Sequence, residues 1–133
     1  MLFIAILDGL QREYKIWENE KLIYQILMPS LDEEIAYRGV LIGLFSTILN
    51  KKKTIFLSKI NPVILVTSIL FGLIHSLKIE INLDFYFNSY VFVKTFFYGF
   101  IWGWIAIKTK SLLLPILFHS VSNVLPFLVT YLK

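Results

Sequence analysis

The segment Ser30-Leu31-Asp32-Glu33-Glu34-Ile35-Ala36-Tyr37-Arg38-Gly39 places three carboxylates and an arginine inside an apolar run, with Leu22 to Met28 before it and Val40 to Leu49 after it. Charge in a membrane-length segment is expensive and marks a candidate functional site. Both histidines of the chain, His75 and His119, also lie in apolar stretches, and Asn123 follows His119 by one helical turn. Carboxylate and imidazole groups in such a setting can act as bases, ligate a metal or relay protons. Plainer roles are open to each residue. Glu33 could cap a helix opened by Ser30, and Glu34 with Arg38 at i and i+4 could be a structural ion pair. The histidines and Asn123 could be interhelical hydrogen-bond donors. The chemical reading rests on the set.

That set can meet only if its helices bring these residues to similar depths. Counted at roughly 1.5 Å per residue from the basic turns, His75 lies about 21 Å from one membrane face, Glu33 about 25 Å, His119 about 12 Å and Asn123 about 18 Å. In a hydrocarbon core about 30 Å thick, three antiparallel helices would deliver them to one buried site. Glu34 and Arg38 would pair along their own helix, and Glu33, about 100° away, would face the bundle centre. His119 and Asn123 would share a face, with Phe71 packed below the His75 ring.

The elements that must position these groups read as an all-α, polytopic transmembrane bundle of about four spanning helices. Of the 133 residues 57% are hydrophobic and the mean hydropathy is +0.72, more apolar surface than a soluble domain of this size can bury. There is no cysteine, which excludes disulfides and thiolate metal sites and leaves His, Asp and Glu as strong ligands. The net charge of +4 does not make a nucleic-acid face. Lys51, Lys52, Lys53 and Lys59 group between two apolar segments instead, the placement expected of a cytoplasmic loop.

Met1 to Leu7 lacks the basic flank and cleavage site of a signal peptide; with Asp8 to Lys21 it is expected to form a short interfacial or partial helix. The first span covers Leu22 to Leu49, broken at Pro29 and restarted at Leu31 by a capping box of Ser30 and Glu33. Asn61 and Pro62 open a second span to about Leu77, and Lys78 to Ser89 forms the opposite loop. A third span, Tyr90 to Ile107, carries Lys94 snorkelling to the interface and a Gly99/Gly103 pair for close helix approach. Ser111 caps a fourth span, Leu112 to Leu132, with Pro115 in its first turn. No repeat or linker interrupts the chain, so residues 1–133 are expected to form a single membrane domain.

Glu33-Glu34-x-x-x-Arg38, Phe71-x-x-x-His75 and His119-x-x-x-Asn123, in that order on successive spans, resemble the signature of the CAAX prenyl endopeptidase and bacteriocin-processing (CPBP, Abi) family of intramembrane proteases. The resemblance covers about residues 28–125. It implies an intramembrane endopeptidase in which Glu33 and His75 activate a water, His119 and Asn123 stabilise the oxyanion, and Glu34 and Arg38 support the site by holding the first helix. The substrate would be a peptide or lipidated protein in the membrane, CAAX-type or bacteriocin-like. The family is also described as metalloprotease, and zinc, if bound, would be held by Glu33, His75 and His119. No His-Glu-x-x-His motif favours metal locally. Family members usually carry additional spans, so a partner subunit or oligomer, besides membrane lipid, would complete a chain this short. Alternative readings are a non-catalytic peptide-binding or bacteriocin-immunity protein and, against the presence of Asn123, a proton or ion pathway.

Overall fold

A computed structural model of the chain describes residues 2–11, 19–49 and 61–132. The basic loop expected at residues 51–59 lies outside the described residues, as do residues 12–18. Helix α1 covers Leu2–Gln11 and α2 Asn19–Glu34; a π-helical segment, Ile35–Leu41, leads into α3, Ile42–Leu49. After α4, Pro62–Ser76, come two short strands, β1 Leu77–Ile79 and β2 Phe85–Phe87, then α5 Ser89–Thr109 and α6 Leu113–Tyr131. The described residues are mostly helical, as expected, with one short hairpin in addition. The segment read as an irregular loop is an antiparallel hairpin that pairs Leu77 with Phe87 and Ile79 with Phe85. Aromatic Phe85-Tyr86-Phe87 suits a strand, and Leu83 turns the chain at a φ of 65°.

Two helices are long and apolar enough to cross a membrane, α5 over Ser89–Thr109 and α6 over Leu113–Thr130, while α4 is a shorter apolar helix. Length and composition thus give two candidate spans among the described residues. Beside an apolar core of Val63, Ile64, Phe71 and Trp102, burial takes in many polar groups. Ile23, Leu27, Val40, Leu44, Ile74, Phe97, Trp104 and Leu117 are exposed, whereas Ser30, Glu34, Arg38, Ser68, Ser76 and His119 are buried. Apolar residues outside and polar residues inside, each needing an internal partner, is the arrangement that lipid imposes.

The hairpin turns α4 back against α5. Their contact is close because small residues line it: a Cβ added to Gly99 would stand 3.2 Å from the Ser68 Cα, and one added to Gly103 would meet Ile64 at 3.4 Å. Asn61 caps α4 by accepting from the Val63 N–H at 2.9 Å, and Asn88 does the same for α5 through Val91 at 3.0 Å. At the start of α6, Ser111 Oγ accepts from the Leu113 N–H at 3.2 Å.

Helix α2 overturns one expectation. Pro29 lies inside it without ending it, and Ser30 is not a cap. The Ser30 hydroxyl, fully buried, contacts the Ile26 carbonyl at 2.9 Å and shares a 2.7 Å hydrogen bond with Ser120 Oγ of α6. Ser120 also donates to the Ile26 carbonyl, at 2.7 Å. Helices in lipid tolerate proline when neighbouring hydroxyls serve the backbone around it, so the serine that resembles a cap is a clamp between α2 and α6. On the other side of α6, Gly9 lets α1 approach so closely that a Cβ there would lie 2.7 Å from the Pro126 carbonyl oxygen.

Candidate active site

The carboxylates of Glu33 and Glu34 leave the last turn of α2 in different directions, immediately before the π-helical segment. A π-turn re-aims side chains relative to an α-helix and is frequent at functional sites. Glu34 is fully buried; its Oε2 lies 3.2 Å from Arg38 Nε, and its Oε1 lies 2.8 Å from His119 Nδ1 of α6. Arg38 reaches on, donating from Nη2 to the Gly99 carbonyl of α5 at 3.2 Å, with its guanidinium 4.6 Å from the Phe71 ring centroid. Glu34 therefore does more than pair within its own helix. It ties the π-helical segment to α6, and Arg38 extends that tie to α5.

The two imidazoles are held alike. His75 Nδ1 lies 2.8 Å from the Phe71 carbonyl, which can only accept, so Nδ1 carries the proton. His119 Nδ1 likewise donates to the Glu34 carboxylate. A partner fixed on one ring nitrogen determines what the other presents. Both Nε2 atoms turn toward the same oxygen: Glu33 Oε2 is 3.4 Å from His75 Nε2 and 3.9 Å from His119 Nε2. That oxygen is buried and makes no hydrogen bond. Aromatic faces hold the rings, Phe71 against His75 at 4.4 Å between centroids and Trp102 stacked on His119 at 4.3 Å.

A cavity of about 370 Å³ opens beside this cluster, lined among others by His75, His119, Asn123, Trp102, Lys94 and Asp8. Asn123, one turn beyond His119, lines the same space. The sequence gives no local sign of three further features: Glu34 meets a histidine 85 residues away, Trp102 Nε1 is buried beside the cavity without a partner, and Lys94 is paired with a carboxylate of α1. It bonds Asp8 Oδ2 at 2.5 Å, while Tyr90 donates to Asp8 Oδ1 at 3.1 Å. Opposite charges in two apolar segments were the available signal for that last pair.

Among the described residues no three His, Asp or Glu side chains are placed to hold a metal ion. The donor set of Glu33, His75 and His119 therefore does not fit the zinc site considered from the sequence, and no step below passes through a metal.

The family model for type II CAAX prenyl endopeptidases, Rce1-like, matches residues 16–125. The chain belongs to this family. Comparison with curated proteins and with solved structures finds no match. Membership makes the chain a membrane-embedded protein of a peptidase family whose substrates are membrane-associated peptides.

Proposed function

We propose that the chain is a multi-pass intramembrane endopeptidase, of about four spans, that hydrolyses a peptide bond of a membrane-associated CAAX-type substrate with a water activated by Glu33. One observation carries the reading. Two imidazoles, each with Nδ1 committed to an acceptor, converge through Nε2 on a single carboxylate oxygen that has no hydrogen-bond partner. A buried acceptor without a partner calls for an explanation, and a water held between Glu33 Oε2 and His75 Nε2 supplies one.

In the reaction this water gives one proton to Glu33 as its oxygen bonds to the substrate carbonyl carbon, which is general-base catalysis. The carbonyl oxygen becomes an oxyanion, stabilised by donors that are already in place before charge develops. In its imidazolium form, with Glu34 as counter-ion, His119 serves here through Nε2–H, and the Asn123 amide adds a second donor. Glu33 then passes its proton to the departing amine as the C–N bond breaks, which restores the carboxylate. Glu34, Arg38 and Trp102 touch no reacting atom; they hold His119 in position.

The test is cleavage of fluorogenic peptides, prenylated and unprenylated, by the full chain in nanodiscs, with a chelator arm beside each. Wild type should cleave in both arms, and Glu33→Ala and His119→Ala should each lose at least about a hundredfold in kcat/KM while circular dichroism stays helical. Cleavage that survives both substitutions sinks the assignment. A folded wild type that binds peptide but never cuts it would leave a non-catalytic binding protein.

A further inference from the structure

The hairpin between α4 and α5 has an apolar face and a charged face. Successive side chains of a strand point to opposite sides, and the pairings of Leu77 with Phe87, Lys78 with Tyr86 and Ile79 with Phe85 sort them. Leu77, Ile79, Phe85 and Phe87 share one face. Lys78 and Tyr86 share the other, continued toward the turn by Glu80 and Asp84, whose backbones meet at 3.1 Å. Residues 77–90 are all exposed. We propose that this hairpin lies in the membrane interface, its apolar face on lipid acyl chains and its charged face toward headgroups and water, and that it thereby fixes the depth of His75. The proposal concerns lipid contact and stands apart from the peptidase reading.

Continuity with a membrane helix argues for lipid as the occupant. Phe87 packs on Phe92 of α5, 5.7 Å between centroids, and Phe96 and Phe100 follow along that helix at 6.1 and 6.4 Å. Since α5 is one of the two candidate spans, the apolar face of the hairpin prolongs the aromatic row of a membrane helix. The tip adds Ile81 and Leu83, which are 101% and 74% exposed. An apolar patch left this open marks a contact with membrane or protein.

Backbone chemistry sets the depth. The sheet has only two strands among the described residues, so each outer edge carries N–H and C=O groups without a strand partner. Hydrocarbon does not tolerate open edges; headgroups and interfacial water serve them. An amphipathic element in that plane sinks its apolar face roughly 5 to 10 Å into the boundary. Tyr86 and Tyr90, both exposed, are of the aromatic type that gathers there. Because β1 starts at Leu77, His75 lies two residues from the hairpin. An interfacial hairpin therefore holds the imidazole within about one helical turn, ~5 Å, of the boundary. For the reaction proposed above, that depth puts the site within reach of interfacial water.

The chain has no cysteine, so single cysteines can carry an environment-sensitive fluorophore. Ile79→Cys and Phe85→Cys report the apolar face, and Lys78→Cys and Tyr86→Cys the charged one, in the full chain in phosphatidylcholine nanodiscs with circular dichroism as the check on folding. Lipids spin-labelled at the start of the acyl chain should quench the first pair at least about threefold more than the second, and aqueous iodide should show the reverse order. A label at Ile74→Cys, a position exposed beside His75, should be quenched best by the same shallow spin label. The double substitution Ile79→Asp with Phe85→Asp should expose a label at Ile81→Cys to iodide, whereas Lys78→Ser should leave that label unchanged. Equal iodide access at all four strand positions overturns the proposal, since it places the hairpin in water. Strongest quenching by spin labels at the acyl-chain end overturns the depth. Emission that follows the protein-to-lipid ratio while lipid quenchers have no effect would mean that a second copy covers the face, and overturns the proposal too. The readout needs no turnover, so a chain that cuts nothing still tests the anchor.

Discussion

The seam between α4 and α5 and the seam between α2, its π-helical extension and α6 are built from opposite materials. Close packing at glycine makes the first: Gly99 and Gly103 against Ser68, Phe71 and Ile64, with Gly72 closed by Phe92. The second carries the polar contacts, Ser30 on Ser120, Glu34 on His119 and Arg38, and Glu33 beside both histidines. Lipid supplies no hydrophobic drive between helices, so association depends on close packing and on interhelical hydrogen bonds. Close packing tolerates no vacancy, whereas a polar seam can hold one unsatisfied group if the rest is satisfied. The difference separates what holds the bundle from what can react.

Glu34 and Glu33 make the separation testable within two adjacent residues. Removing one partner of a buried charge pair costs about 3 to 5 kcal/mol, because the other charge is left uncompensated. Glu34→Ala should therefore unfold or severely destabilise the chain, with Arg38 stranded and His119 released. Thermal melting in detergent is the measurement, and an unchanged midpoint would show that the buried pair carries no structure.

Glu33→Gln should do the reverse. Its carboxylate has one oxygen without a hydrogen bond and is 29% exposed, so the fold should be retained or slightly stabilised, as happens when a strained functional group is removed. Cleavage should fall by about 10² to 10⁴, the contribution of a general base. A variant that melts early and still cleaves would exchange the roles assigned to the two glutamates.

Much of this arrangement is legible in the chain, and what is not has definite causes. Asn61 before Pro62, and the glycines four apart in α5, are local signals whose local consequences appear in the structure. Ser30 three residues before Glu33 has the same local form and a different outcome, because α6 offers Ser120 to the same carbonyl and the helix never stops at Pro29. Counting residues along straight helices brings Glu33, His75 and His119 to comparable depths. It does not foresee the π-turn at Ile35–Leu41, for which Ile-Ala-Tyr-Arg-Gly-Val-Leu carries no distinctive pattern. It also pairs Glu34 with Arg38 and overlooks His119, because spacing along one helix is visible in sequence and a contact across 85 residues is not. The hairpin was hidden for a related reason: Asn82 and Asp84 read as loop residues, and strands of three residues are too short to show alternation.

The glycine seam predicts a smaller effect. Gly99→Val would place its Cβ 3.2 Å from the Ser68 backbone and 3.4 Å from Phe71. Backbone yields less readily than a side chain, so the helices must part, at a cost of roughly 1 to 3 kcal/mol. Cleavage per folded molecule should also fall, since the Gly99 carbonyl is the acceptor for Arg38 Nη2. The same substitution at Gly43, which has nothing within 4 Å of its added Cβ, should leave the melting point and activity unchanged.

The smallest effect should come from the serine clamp. Ser120→Ala removes one hydroxyl from a group of three, the Ile26 carbonyl, Ser30 Oγ and Ser120 Oγ. Ser30 keeps its own contacts to the Ile26 and Leu27 carbonyls, at 2.9 and 3.1 Å. No buried polar group is left without a partner, so the loss should be near the ~0.6 kcal/mol average of an interhelical hydrogen bond in a membrane. Ser30→Ala should cost about the same, since Ser120 can still donate to Ile26. The double variant should cost more than the sum of the two, because only then does the backbone near Pro29 lose both hydroxyls, and such coupling is expected of residues that share a partner. Strict additivity in melting would mean that the proline is tolerated without them, and that the polar seam owes its strength to Glu34 alone.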